Sequence, residues 1–176
     1  MIHEIQEGYV KVELRHGVAT IEFYHPRGNS LPSAILADLT QQIHSAGVEE
    51  DAKLIVLRSA GDGAFCGGAS FNELVGLHTA EEGKKFFSGF ANVINTMRKC
   101  PKMIIARVHG KCVGGGVGLV AAADYAIATE NAEVKLSELT IGIGPFVVGP
   151  VIEKRIGLAG FSQLAIDAAM WRPADW

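Results

Sequence analysis

Two stretches of this chain offer backbone that chemistry can use. His109-Gly-Lys-Cys-Val-Gly-Gly-Gly-Val-Gly-Leu119 and Ala60-Gly-Asp-Gly-Ala-Phe-Cys-Gly-Gly-Ala-Ser70 each follow a strand-like apolar run, and each leads into a helical pattern. N–H groups at a helix start have no partner within the helix, and small residues leave them unscreened. Two such donors converging on one point make an oxyanion hole, which stabilises a developing enolate or alkoxide. Removing one donor typically costs about 3 to 4 kcal/mol of transition-state stabilisation.

Other readings of the same residues stay open. The glycines also let a helix start tightly against a sheet. Gly116-Val-Gly118-Leu-Val-Ala121 fits GxGxxA, and Glu138 lies twenty residues beyond Gly118, the pattern of an NAD-dependent dehydrogenase. Against that, the fingerprint acid should end the second strand, which here stops near Thr129, and Lys111-Cys-Val-Gly-Gly115 pads the strand-to-turn join. Cys66 and Cys112 sit in the two loops, but no His or Lys is placed to lower a thiol pKa, so thiol catalysis is not expected. His109 reads as structural. Lys84, Lys85, Arg98 and Lys99 read as a solvated helix face rather than an RNA-binding one.

The elements that must position these loops follow from periodicity. Val10–Leu14 and Val18–Phe23 flank Arg15-His-Gly17 as a β-hairpin. Ile35, Leu36, Leu39 and Ile43 recur at helical spacing between Ser33 and Ser45, and Lys53–Arg58 is a short buried strand. Ser70-Phe-Asn-Glu73 and Thr79-Ala-Glu-Glu82 are capping boxes. The second opens a helix carrying Phe86, Phe87, Phe90, Val93, Ile94 and Met97, which Pro101 ends. Lys102–Val108, Tyr125–Thr129 and Val134–Leu136 are further strands, and two helical patterns follow, one over 161–170. Repeated strand-then-helix units predict an α/β fold with its sheet packed between layers.

The 176 residues are 48% hydrophobic and 20% charged, enough for one domain with a substantial core. A net charge of −3 gives no global reason to bind nucleic acid or anionic lipid. Three widely spaced cysteines without a CxxC argue against a disulfide framework and a metal site, and fit a reducing compartment. The N-terminal stretch Met1–Leu14 has no leader pattern, and no apolar run reaches membrane length, so a cytoplasmic protein is expected.

Phe65-Cys-Gly-Gly-Ala-Ser70 resembles the FxxGAD loop of the enoyl-CoA hydratase/isomerase (crotonase) family, and His109–Gly116 resembles its xGxxxGGG loop. Leu136-Ser-Glu138-Leu-Thr-Ile-Gly142-Ile-Gly-Pro145 is similar to the third motif, PExxxGxxP, and Asn29-Ser-Leu31 to the N-terminal NAL segment. Order and spacing agree over essentially the whole chain. The resemblance implies the ClpP/crotonase α/β fold, a spiral of ββα units with two nearly perpendicular sheets. It also implies an acyl-CoA thioester as substrate, no cofactor, and a homotrimer or hexamer. Ala69 and Gly115 fall where the family supplies its oxyanion-hole N–H groups, and Glu138 falls on a catalytic glutamate that moves the proton. Gly67, Gly68, Ser70 and Phe71 would touch CoA, and Arg27 lies near the path of the nucleotide.

The chain departs from the pattern in four places. Gly118 stands where a two-glutamate hydratase has its first catalytic acid. Ser70 replaces an aspartate, and Phe146-Val-Val148 replaces glycines after the third motif, which would narrow the acyl pocket or make it more apolar. Residues 1–176 read as the core domain without the family's C-terminal helical region, Trp171-Arg-Pro-Ala-Asp-Trp176 being its first residues. The activity implied is that of an enoyl-CoA hydratase/isomerase, with hydration of a methylglutaconyl-type thioester leading. Isomerisation and decarboxylation are also compatible with one carboxylate. The alternative is a non-catalytic homologue that binds acyl-CoA or only its own oligomer.

Overall fold

The computed structural model describes residues 8–173 and 175. Met1–Glu7, which belong to the leader reading, and the terminal aromatic Trp176 lie outside them. β1 (Tyr9–Arg15) and β2 (Val18–Tyr24) pair antiparallel across His16 and Gly17, which sit at φ 50° and 80°. Positive φ at both central residues lets a two-residue turn follow the right-handed strand twist. β2 alternates strictly, burying Ala19, Ile21 and Phe23. A buried Asn29 then ties the next turn to a distant loop. Its Oδ1 accepts from the His25 N–H at 2.7 Å, and its Nδ2 donates to the Ala60 and Ala64 carbonyls at 3.0 and 2.9 Å.

After the short β3 (Ser30–Leu31), α1 runs from Ser33 to Val48, past the expected end at Ser45. The extension is a packing effect: Ala46 and Gly47 are buried, and a methyl group at Gly47 would lie 3.1 Å from Cys100 Sγ. β4 (Leu54–Ser59) leads to β5 (Gly68–Ala69), α2 (Phe71–Val75) and α3 (Ala80–Lys99). The Thr79–Glu82 box forms in both directions. The Ser70–Glu73 box forms only by half. Ser70 accepts from the Glu73 N–H, while the Glu73 carboxylate accepts from the Ser33 N–H and hydroxyl at 3.0 and 2.6 Å. That acid therefore caps α1, where the helix dipole favours negative charge.

β6 (Ile104–Val108), β7 (Cys112–Val113), α4 (Gly115–Ala122), β8 (Tyr125–Ala128) and β9 (Glu133–Lys135) follow. A single 3₁₀ turn (Glu138–Ile141), α5 (Gly149–Ile166) and β10 (Arg172–Pro173) complete the chain. α5 joins the two expected helical patterns across Gly157, at φ 77°. Its second part stops at Ile166 rather than Met170, because the Asp167 side chain binds Arg172 and the chain turns back into β10.

The larger sheet has the order β1-β2-β4-β6-β8, all parallel after the hairpin. Two smaller sheets, β3-β5 and β10-β9-β7, are connected through a backbone β-bridge between Cys66 and Cys112, whose thiols are free. The predicted α/β architecture is present. One hydrophobic core joins residues of the larger and smaller sheets with α1, α3 and α4. Phe23 of β2 meets Phe65 edge-on at 5.4 Å, anchoring the loop after β4 to the sheet. Among the described residues, no helix is long and apolar enough to cross a membrane.

Candidate active site

The two small-residue loops leave the carboxyl ends of the adjacent parallel strands β4 and β6, the edge where open α/β sheets bind ligands. Backbone bonds hold the loops together. The Cys66 N–H donates to the Lys111 carbonyl at 3.2 Å, and the Val113 N–H to the Cys66 carbonyl at 2.9 Å. The N–H groups of Gly67 and Ser70 donate to Asn29 and Leu31, both at 3.0 Å, leaving Gly68 and Ala69 as a step between those bonds. Gly68 has φ 88°, and a methyl group on it would fall 3.0 Å from Val113 O and 3.8 Å from Gly115 N. The loops therefore converge backbone to backbone.

Gly115 is the first residue of α4, a position whose N–H has no acceptor within the helix. Behind it lies Phe90 of α3: a methyl group at Gly115 would sit 2.4 to 2.6 Å from three ring carbons. Gly114 turns at φ 50°, and a methyl group there would lie 2.9 Å from Glu138 Oε1. Glu138 opens the 3₁₀ turn after β9 and is held against the triple glycine. Its Oε2 is buried and has no hydrogen-bond partner among the described residues. Burial raises its pKa above the ordinary 4.5, against a smaller lowering by its own backbone N–H.

A cavity of about 250 Å³ brings these groups together. Gly67, Gly68, Ala69, Phe71, Gly115 and Glu138 line it. Arg27 and Ser70 stand outside the lining. Ser70 is occupied as the cap of α2, and Arg27 is on the exposed turn beside Gly28, whose carbonyl lies 2.9 Å from where a Gly67 methyl would be. The rest of the wall is mostly apolar: Leu74, Phe86, Phe87, Phe90, Ile143, Val147 and Val148. Glu138 is the only charged side chain among the lining residues.

Sequence reasoning missed Phe90 as part of the site; of the Phe146–Val148 stretch expected to narrow the acyl pocket, Val147 and Val148 line the cavity and Phe146 does not. A methyl group at Gly118 would meet Val148 Cγ1 at 2.6 Å and Ile94 Cδ1 at 3.1 Å. The glycine in place of an acid is thus covered, not open. Against the dinucleotide reading, Glu138 sits beyond β9 rather than at the end of β8, where the fingerprint acid belongs.

Thiol chemistry is equally disfavoured. Burial pushes the Cys66 thiol up to about 12 and raises Cys112 as well. His109 does not line the cavity, and both its ring nitrogens are buried without a hydrogen-bond partner. Lys84, Lys85, Arg98 and Lys99 are exposed on α3. Among the described residues, no cluster of His, Cys, Asp and Glu is arranged to hold a metal ion.

The family model described as enoyl-CoA hydratase/isomerase matches residues 13–175. The chain is 31% identical over 141 residues to the mitochondrial methylglutaconyl-CoA hydratase of Rattus norvegicus, covering 80% of this chain and 44% of that protein. It is 31% identical over 151 residues to a bacillaene synthase dehydratase of Bacillus subtilis, covering 84% and 57%. Among solved structures, an enoyl-CoA hydratase of Mycobacterium smegmatis superposes with a TM-score of 0.88 at 27% identity, covering 94% of this chain and 65% of that one. An enoyl-CoA hydratase of Bacillus anthracis gives 0.87 at 27% identity, with the same coverage. The chain spans about half the length of the curated relatives it matches.

Proposed function

The chain belongs to the enoyl-CoA hydratase/isomerase family, and from that premise we propose that its site moves a double bond along an uncharged enoyl-CoA thioester. The Ala69 and Gly115 N–H groups hold the thioester oxygen as it becomes an enolate. Glu138, as carboxylate, takes a proton from the α-carbon of a 3-enoyl chain, and the electron pair spreads onto the thioester oxygen as a dienolate. The same carboxyl returns the proton to the γ-carbon, leaving a 2-enoyl thioester. The CoA portion leaves past Gly67, Gly68 and Phe71, with Ser70 fixing that turn and Arg27 beside it.

The observation that carries this reading is the single half-buried carboxyl, its Oε2 shielded from solvent, on a wall whose other described residues are uncharged and largely apolar. One base suffices for a proton shift, and the described lining sets mostly apolar side chains around Glu138. A second reading, hydration, is favoured by the identity to methylglutaconyl-CoA hydratase. A methylglutaconyl group carries a free carboxylate, which would meet Glu138 and no cation among the described lining residues.

The test is incubation with an uncharged 3-enoyl-CoA, an uncharged 2-enoyl-CoA and methylglutaconyl-CoA, followed by mass and absorbance. A proton shift leaves the mass unchanged, whereas hydration adds one water. Isomerisation of the 3-enoyl thioester is expected; water addition to methylglutaconyl-CoA without isomerisation overturns the reading. Because the reaction starts from the carboxylate, kcat/KM rises with pH through the Glu138 pKa. That acidic limb lies above the ordinary carboxylate value of 4.5. A pH–rate profile checks it, and a limb at or below 4.5 would contradict the buried geometry.

A further inference from the structure

The departures at Gly118 and Val148 form one packed contact. Gly115 and Gly118 are three residues apart on α4 and therefore face the same side. From Gly118, a side chain would start toward Val148, with Cγ1 at 2.6 Å and Cβ at 3.0 Å. Val148 in turn lines the cavity and is 3% exposed. We infer that Val148 is the specificity-determining residue of the site: its side chain fills the space a second acid would cross, and so holds the reaction to one proton carrier.

This rests on the reading of Glu138 as the sole acid. A proton shift takes one hydrogen from the α-carbon and returns one to the γ-carbon, with no atom gained. Hydration adds hydroxide at the β-carbon and a proton at the α-carbon, and the attacking water must be held and deprotonated. Among the described residues Glu138 is the one carboxyl lining this cavity, and Val148, Ile94 and Phe90 fill the space in front of Gly115 and Gly118 with hydrocarbon. An acid at position 118 therefore requires the valine side chain to be gone.

The experiment compares Gly118→Glu, Val148→Gly and the pair, each assayed for water addition to an uncharged 2-enoyl-CoA and for isomerisation of a 3-enoyl-CoA. The pair is expected to raise the ratio of hydration to isomerisation by about tenfold or more over either single variant. A fold-independent arm uses alanine. Gly118→Ala in the unmodified protein is expected to lower Tm by about 5 °C through overpacking, and by much less once Val148 is glycine. The inference is overturned if Gly118→Glu alone hydrates as well as the pair, if the folded pair gains no hydration, or if the alanine shift is equal in both backgrounds. If the unmodified protein isomerises nothing while the pair hydrates and the alanine shifts differ, the proposed function fails and the role of Val148 stands.

Discussion

Glu138→Gln is expected to slow isomerisation of a 3-enoyl-CoA by about 100- to 10,000-fold, the range that general acid–base groups supply. Glutamine keeps the size of the side chain but neither takes nor returns a proton at the acyl carbons. Thioester binding should survive, because the N–H donors belong to the loops and not to Glu138. Stability should not fall either. Glu138 Oε2 is buried and unpartnered, so the folded protein penalises the charged form. A carboxyl with a raised pKa is held protonated by the fold to higher pH than in the unfolded chain. Stability therefore declines as pH rises from the ordinary 4.5 through the folded value. In the glutamine variant that part of the decline disappears, and denaturant midpoints measured across this window check the sign. A variant that keeps full turnover removes Glu138 from the chemistry.

Gly115→Ala is the second large effect. The added methyl would meet Phe90 ring carbons at 2.4 to 2.6 Å, and Phe90 is only 5% exposed, packed with Val93, Ile94 and Met97 of the same helix in the core. A rigid ring in a dense interior has little room to yield. The start of α4, and with it the Gly115 N–H, must move instead. Loss of one oxyanion donor costs about 100- to 1,000-fold in kcat, and that is the expected fall, with KM changing less. Phe90→Leu in the same chain opens space beneath the methyl and should restore most of the loss. Gly115→Ala with unchanged kcat would show that this N–H does not hold the thioester oxygen.

The features legible in the chain were those written locally. The hairpin at His16 and Gly17, the Thr79–Glu82 capping box and the strand-loop-helix order around both glycine loops depend on neighbours a few residues apart. What escaped depends on contacts across the fold. Glu73 completes a capping pattern in sequence, yet its carboxylate goes to Ser33 because α1 starts beside it. Phe90 looks like an ordinary core residue until Gly115 is set against its ring, and Val148, readable as pocket wall, gains its contact with Gly118 only in the fold. Gly118 could be read as a missing acid, but not as a covered position, since Val148 reaches it only after the 3₁₀ turn has folded back. The length of α1 was likewise set at a distance, by the packing of Gly47 near Cys100.

The most direct measurement follows a hydrogen from one carbon to the other. A 3-enoyl-CoA deuterated at its α-carbon is converted in ordinary water, and the 2-enoyl product is examined at its γ-carbon. One carboxyl with its Oε2 shielded from solvent should carry part of the label across, and Glu138→Gln should abolish both the transfer and the release of the α-deuterium. A product whose γ-carbon holds only solvent hydrogen, with α-deuterium released equally fast by the glutamine variant, would contradict a site built around Glu138 as its single proton carrier.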